Sequence, residues 1–86
     1  MIKSKQNLVS IGEASARSGM SVRRVRYLSD HGYIQKPVQS ISGAITYRLY
    51  TETHIQQLKK IKAFQDDGYT LAMAVKKMKE EYDAKN

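Results

Sequence analysis

The tripeptide Gly19-Met20-Ser21 lies between two short helical patterns and restricts the folds open to this chain more than any other feature. Upstream, Ser10-Ile11-Gly12-Glu13 reads as a Ser-x-x-Glu capping box, with Val9 and Ala14 placed as a hydrophobic staple. The spacing therefore predicts a helix of about two turns over Ile11–Ser18. Gly19 supplies the left-handed residue that ends it, Met20 can plug a core, and Ser21 is a suitable N-cap for the next helix. Helix, glycine-containing turn, helix is the spacing of a helix-turn-helix. An ordinary αα-hairpin shares that turn chemistry, so the second helix has to decide between them.

Ser21-Val22-Arg23-Arg24-Val25-Arg26-Tyr27-Leu28-Ser29 favours the helix-turn-helix by its two faces. At roughly 100° per residue, Val22, Val25 and Leu28 fall on one side, and Arg23, Arg24, Arg26 and Tyr27 on the other. Gly32 follows as the C′ residue. An αα-hairpin has no reason to load one face with arginine. The planar guanidinium fork suits phosphate and the guanine edge better than an ammonium does.

The distribution of charge supports the same partner. The chain of 86 residues carries +7. Residues 1–50 hold Lys3, Lys5, Arg17, Arg23, Arg24, Arg26, Lys36 and Arg48 against only Glu13 and Asp30, whereas seven lysines nearly balance six acids in 51–86. The first half is the electropositive surface that a polyanion would meet, and nucleic acid is the commonest such partner. No segment joins this charge to a broad apolar face, so an anionic membrane is not expected as a partner. The length fits one domain that buries about 60% of its unfolded surface. Without cysteine there is no disulfide framework or thiolate metal site, and no apolar run is long enough for a signal peptide or membrane span. The expectation is a soluble, cytoplasmic, nucleoid-associated protein with no cofactor and no metal.

From Tyr33 to Tyr50 the helical period disappears. Pro37 stops any preceding helix, Ser40–Gly43 has turn chemistry, and Ile45-Thr46-Tyr47-Arg48-Leu49-Tyr50 alternates with the period of a strand. One face would carry Ile45, Tyr47 and Leu49, the other Thr46, Arg48 and Tyr50. Its partner strand lies near Ile34–Lys36 or over Val38–Ile41. A hairpin directly after a recognition helix is a wing, and Lys36 and Arg48 would let it grip the backbone or an adjacent groove. Thr51 is the next N-cap, with Glu52 in the first turn. This third helix should run to about Asp67, burying Ile55, Leu58, Ile61 and Phe64, with Lys59, Lys60 and Lys62 on the solvent side. Thr70 caps a last helix with Leu71, Val75, Met78 and Tyr82 in one stripe. Residues 1–8 read as a flexible tail, 9–82 as the domain and 83–86 as a polar end.

Taken together, these residues resemble the DNA-binding domain of the MerR-type transcription regulators. Ile11-Gly12-Glu13, Gly19-Met20-Ser21-Val22-Arg23 and Arg26-Tyr27 are similar to that family's opening helix-turn-helix. Tyr47-Arg48-Leu49-Tyr50 resembles its wing, and Asp67-Gly68-Tyr69-Thr70-Leu71 its helix–helix junction. The resemblance implies a mainly α fold: a winged helix-turn-helix with a small β-hairpin wing and two further helices. It implies binding of double-stranded promoter DNA as a homodimer, with the second helix in the major groove, the wing on the flanking backbone and RNA polymerase engaged at the bent promoter. Contact at Arg23, Arg26, Tyr27 and Arg48 carries over by position. Ser21, Arg24, Lys36 and Tyr47 complete the expected DNA-binding set.

Several residues depart from the family pattern. Leu28 and Ser29 stand where the family usually has a second aromatic and an acid. Ala44, Ile45 and Thr46 lengthen the wing, and Arg24 replaces a typically small or polar residue. The chain stops at Asn86, with no room for the family's long coiled-coil helix or effector domain. The expected function is thus a transcription regulator without an effector domain. The alternative is a small excisionase-like, chromosome-organising or phage architectural DNA-binding protein, and a third reading is one domain of a longer regulator. An adaptor using the Leu71–Tyr82 stripe is a further class. An enzyme is not expected, because His31, in a polar loop, and His54, in the first turn of a helix, lack any accompanying catalytic constellation.

Overall fold

A computed structural model describes residues 8–85. Four helices and one hairpin follow in the order α1 (Ile11–Ser18), α2 (Val22–Asp30), β1 (Val38–Ser42), β2 (Ile45–Leu49), α3 (Glu52–Asp66) and α4 (Leu71–Lys85). The expected tail, apart from Leu8, lies outside the described residues.

Local chemistry sets the boundaries. The Ser10 hydroxyl accepts the Glu13 N–H at 3.2 Å, and the Ser21 hydroxyl accepts the Arg24 N–H at 3.2 Å. Between them Gly19 takes φ 82°, where a side chain would be strained, and its N–H closes α1 on the Ser15 carbonyl. Serines also account for the polar groups of the turn. Ser15 Oγ donates to the Met20 carbonyl, and Ser18 Oγ accepts the Met20 N–H at 3.3 Å. Both α2 and α3 end in Schellman motifs. Tyr33 N–H reaches the Leu28 carbonyl and Gly32 N–H the Ser29 carbonyl; Tyr69 and Gly68 repeat the pattern on Phe64 and Gln65. Phe64 and Tyr69 add an edge-on ring contact at 5.7 Å, the apolar pairing expected between those two positions.

The hairpin is antiparallel, with Val38 opposite Leu49, Gln39 opposite Arg48 and Ser42 opposite Ile45. Of the two candidate partner strands, Val38–Ser42 is the one used. Ile34 is instead a buried core residue of the loop that leads into the wing.

α3 packs against both α1 and α4, and α2 packs against α1. Ala14, Met20, Val25, Leu28, Ile34, Tyr50, Ile55, Leu58, Ile61, Ala74, Val75 and Met78 form one buried cluster, and Val9, Ile11, Tyr33, Phe64 and Leu71 pack at its margin. Phe64, expected inside, is half-buried, and Ala74 joins Val75 and Met78 on the inner face of α4. The side chain of Tyr82 lies outside the described residues. Lys60 and Lys62, expected among solvating side chains, are in ion pairs with Glu81 at 2.6 Å and Asp66 at 2.9 Å.

Tyr50 is the largest fully buried side chain. Its backbone exchanges two hydrogen bonds with Val9, at 2.9 and 2.8 Å, which adds the N-terminal segment to the edge of β2. Its hydroxyl lies 3.0 Å from Ser29 Oγ. Ser29 spends its single proton on the Val25 carbonyl at 2.7 Å, so Tyr50 is the donor of that bond. Tyr50→Ala is expected to destabilise the fold by about 3–5 kcal/mol and Tyr50→Phe by about 1 kcal/mol, read by urea unfolding. Equal losses would show that the hydroxyl, and not the ring, is what matters there.

Candidate nucleic-acid interface

α2 is amphipathic in the way its spacing requires, with one refinement. Val25, Leu28 and Ser29 are buried, and Arg23, Arg26, Tyr27 and Asp30 share the outward stripe. The i, i+3, i+4, i+7 spacing of these four puts them on one line of the helix surface. Arg24 lies between the two faces, and its Nη2 donates to Gln65 Oε1 of α3. Arg23 and Arg26 are exposed and make no hydrogen bond or ion pair with any of the described residues. Leu28, at the position of the family's second aromatic, is wholly buried. Tyr27 is 43% exposed and leans on His31 at 4.1 Å, with Tyr33 edge-on at 6.1 Å. His31, expected in a polar loop, thus caps α2 within a group of three rings.

The wing is fastened to the outward stripe. Arg48 Nη2 meets Asp30 Oδ1 at 2.6 Å. An acid at a helix C-terminus faces the negative end of the helix dipole, so Asp30 gains from a cation there. Arg48 Nη1 is buried without a partner among the described residues. Lys36 and Arg48 line one cleft of about 430 Å³ with Ser29, Asp30, Pro37 and Gln39. Tyr47, also expected at the interface, is exposed but projects from the opposite face of β2 to Arg48. Ser21 acts as the N-cap of α2 and is exposed at the start of the stripe.

Two side chains of α3 hold the loop that carries Lys36. His54 Nδ1 accepts the Thr51 N–H at 2.9 Å, which fixes the tautomer, and Nε2 then donates to the Lys36 carbonyl at 3.0 Å. Gln57 Oε1 accepts the Gln35 N–H at 3.1 Å. Thr51 and His54 form a complete capping box with histidine in the position usual for glutamate. His54 is 2% exposed and wholly committed to these bonds. Sequence reasoning weighs His54 only as a catalytic candidate and Asp30 only as a charge, and misses the structural role of both. Asp30 shares the stripe spacing of Arg23 and Arg26, and Thr51-x-x-His54 has the spacing of a capping box, so spacing is the signal that could have found each.

In the same first turn of α3, Glu52 accepts from Gln56 Nε2 at 2.9 Å and from Arg17 Nη2 at 2.7 Å. These bonds, Gln56 first and Arg17 second, hold its carboxyl below the ordinary glutamate range. Arg17 is therefore occupied in joining α1 to α3.

A helix-turn-helix with an arginine-bearing second helix, a hairpin tied to that helix and two supporting helices defines a winged helix-turn-helix. Residues 9–81 match the MerR HTH family regulatory protein model, and the chain belongs to that family of DNA-binding transcription regulators. It is 33% identical over 61 residues to the mercuric resistance operon regulatory protein of Bacillus cereus, covering 71% of this chain and 44% of that protein. It is 24% identical over 63 residues to the HTH-type transcriptional regulator CueR of Salmonella typhimurium, covering 73% of this chain and 44% of the relative; CueR of Salmonella typhi gives the same figures. The chain thus spans less than half the length of these curated relatives. No helix among the described residues is long and apolar enough to cross a membrane.

His54→Ala leaves the Lys36 carbonyl and the Thr51 N–H without their partners and is expected to cost about 2 kcal/mol in urea unfolding. Amide exchange should quicken at residues 35–38 before the helices respond. For Glu52, whose folded pKa is lowered, the stabilising contribution is present above the unfolded pKa and is lost as pH falls through the folded one. An NMR titration should give a midpoint below that of an ordinary glutamate, raised by either Gln56→Ala or Arg17→Ala.

Proposed function

We propose that this chain grips double-stranded DNA with α2 in the major groove and the wing on the flanking backbone, as a pair of copies on a promoter operator where RNA polymerase engages, at the nucleoid in the cytoplasm. The observation that carries the reading is the outward stripe of α2, on which Arg23 and Arg26 are exposed and unengaged by any described residue. Cations left unpaired beside one another repel, and a polyanion relieves that repulsion.

The roles divide by position. First-turn residues of a recognition helix reach base edges, which assigns Arg23 and Arg24 to sequence reading. Arg24 would exchange its bond to neutral Gln65 for one to a base, a swap that leaves no buried charge uncompensated. Arg26 and Tyr27 face phosphate. In the cleft between α2 and the wing, a phosphate oxygen beside Lys36 would give Arg48 Nη1 an acceptor, with Asp30 retaining the other nitrogen.

Selection of bound sequences from random duplexes tests this directly. A palindromic consensus is the expected result for a pair of copies. With roughly six phosphates neutralised, log K should fall against log salt with slope near −5. Arg23→Ala should cost about 1–3 kcal/mol and relax the preference at one base pair, whereas Arg26→Ala should weaken all sequences alike and flatten the salt slope by about one. Affinity independent of salt would rule the reading out.

A further inference from the structure

Val38 to Tyr47 is a run of ten residues without one charged side chain, in a chain whose residues are 27% charged. It forms the whole outer part of the wing, and four of its side chains are exposed large hydrophobics: Val38, Ile41, Ile45 and Tyr47. The most exposed are Ile41 at 73% and Ile45 at 55%, beside the Gly43-Ala44 turn. Ile45 stands opposite Ser42 and Ile41 opposite Thr46. Neighbouring residues of a strand point to opposite faces, so the two isoleucines flank the tip from its two sides. One flat packing surface would cover only one of them, and Ile41, the more exposed, shares the face of the ribbon that carries Thr46 and Arg48.

The base of the wing differs from its tip. Arg48 and Lys36 line the cleft beside α2, and the 2.6 Å ion pair to Asp30 fixes the base to that helix. Ile45 is three residues further out, so the tip extends about 10 Å beyond the ion pair. With cations at the base and no acid along the ribbon, phosphate attracts the first part and nothing beyond it is repelled. A B-form minor groove is about 6 Å wide, too narrow for a two-stranded ribbon but wide enough for a single side chain from its tip.

Resting on the assignment of α2 to the major groove, we infer that the wing tip enters the adjacent minor groove. There Ile41 wedges into a base step and partly unstacks it. Aliphatic wedges of this kind kink the duplex toward the major groove and prefer the steps that unstack most easily. The wing thus adds a sequence preference through deformability, at a position where it makes no hydrogen bond to a base.

The test uses the full chain and duplexes bearing its selected site, with 2-aminopurine placed at successive flanking steps. Binding should brighten one step several-fold. Ile41→Ser combined with Ile45→Ser should abolish the brightening and weaken binding about tenfold while leaving the salt slope unchanged, because no phosphate contact is removed. Both positions are exposed, so the variant keeps the fold, which circular dichroism checks. Binding by the wild type without brightening at any step, or equal brightening by the variant, would overturn the inference and leave the assignment of α2 intact. A dimer in DNA-free sedimentation that the double variant converts to monomer would also overturn it, by assigning the ribbon to strand pairing between copies. Failure of the wild type to bind any duplex would instead remove the major-groove reading on which the inference rests.

Discussion

Tyr50 is where the parts of this small domain meet. Its backbone captures Val9, its hydroxyl reaches Ser29 on α2, and its ring stands edge-on to His54 of α3 at 5.5 Å. Those contacts place the N-terminal segment, the second helix, the end of the wing and the start of the third helix around one buried ring. A domain of this length has little core to distribute, so a single large side chain that touches four elements fixes their relative positions more firmly than separate small contacts would. The hydroxyl is held without leaving a buried donor unpaired, because Ser29 passes its own proton to the Val25 carbonyl.

The electrostatic arrangement follows from that packing. Arg17, Arg24 and Arg48 are each engaged by another element, through Glu52, Gln65 and Asp30, whereas Arg23 and Arg26 on the exposed stripe are not engaged by any described residue. The first three hold the scaffold together around the second pair. Of the three, Arg48 belongs to both groups, because one guanidinium nitrogen fastens the wing and the other is buried beside the cleft that also holds Lys36. Exposed ion pairs of this kind contribute little stability singly. Their effect is geometric, since they orient a hairpin that would otherwise be two strands without a third to support them.

Much of the architecture was legible in the chain because helix ends are written in short-range chemistry. Ser10, Gly19, Ser21, Gly32, Thr51, Gly68 and Thr70 all mark the boundaries expected of them, and the four helices and the hairpin follow. Family membership was legible for the same reason, as the punctuating residues occur in the family's order. Short-range signals do not choose the partner of β2, because Ile34–Lys36 and Val38–Ile41 both lie between the second helix and the turn and each carries an apolar residue where a strand could pair. The pairing of Val38 with Leu49 settles it, with Ile34 turned into the core. Helical phase groups Arg24 with Arg23, yet its long side chain reaches Gln65 of α3, and phase says nothing about what a neighbouring helix presents.

The sequence by itself determined where each helix starts and stops, that arginines crowd one side of the second, and that a hairpin follows it, because capping, helical phase and strand alternation act over a few residues. Only the tertiary structure decided which arginines are engaged, that Asp30 ties the wing to α2, that His54 and Gln57 hold the Lys36 loop, and that Gly19-Met20-Ser21 is closed by two serines of α1. Most of those contacts join residues 18 to 41 positions apart, and a side chain's partner at that range depends on how whole elements pack. The opening turn was thus readable as a turn from three residues, but its role as the fulcrum of an arginine-faced helix came from the packing around it.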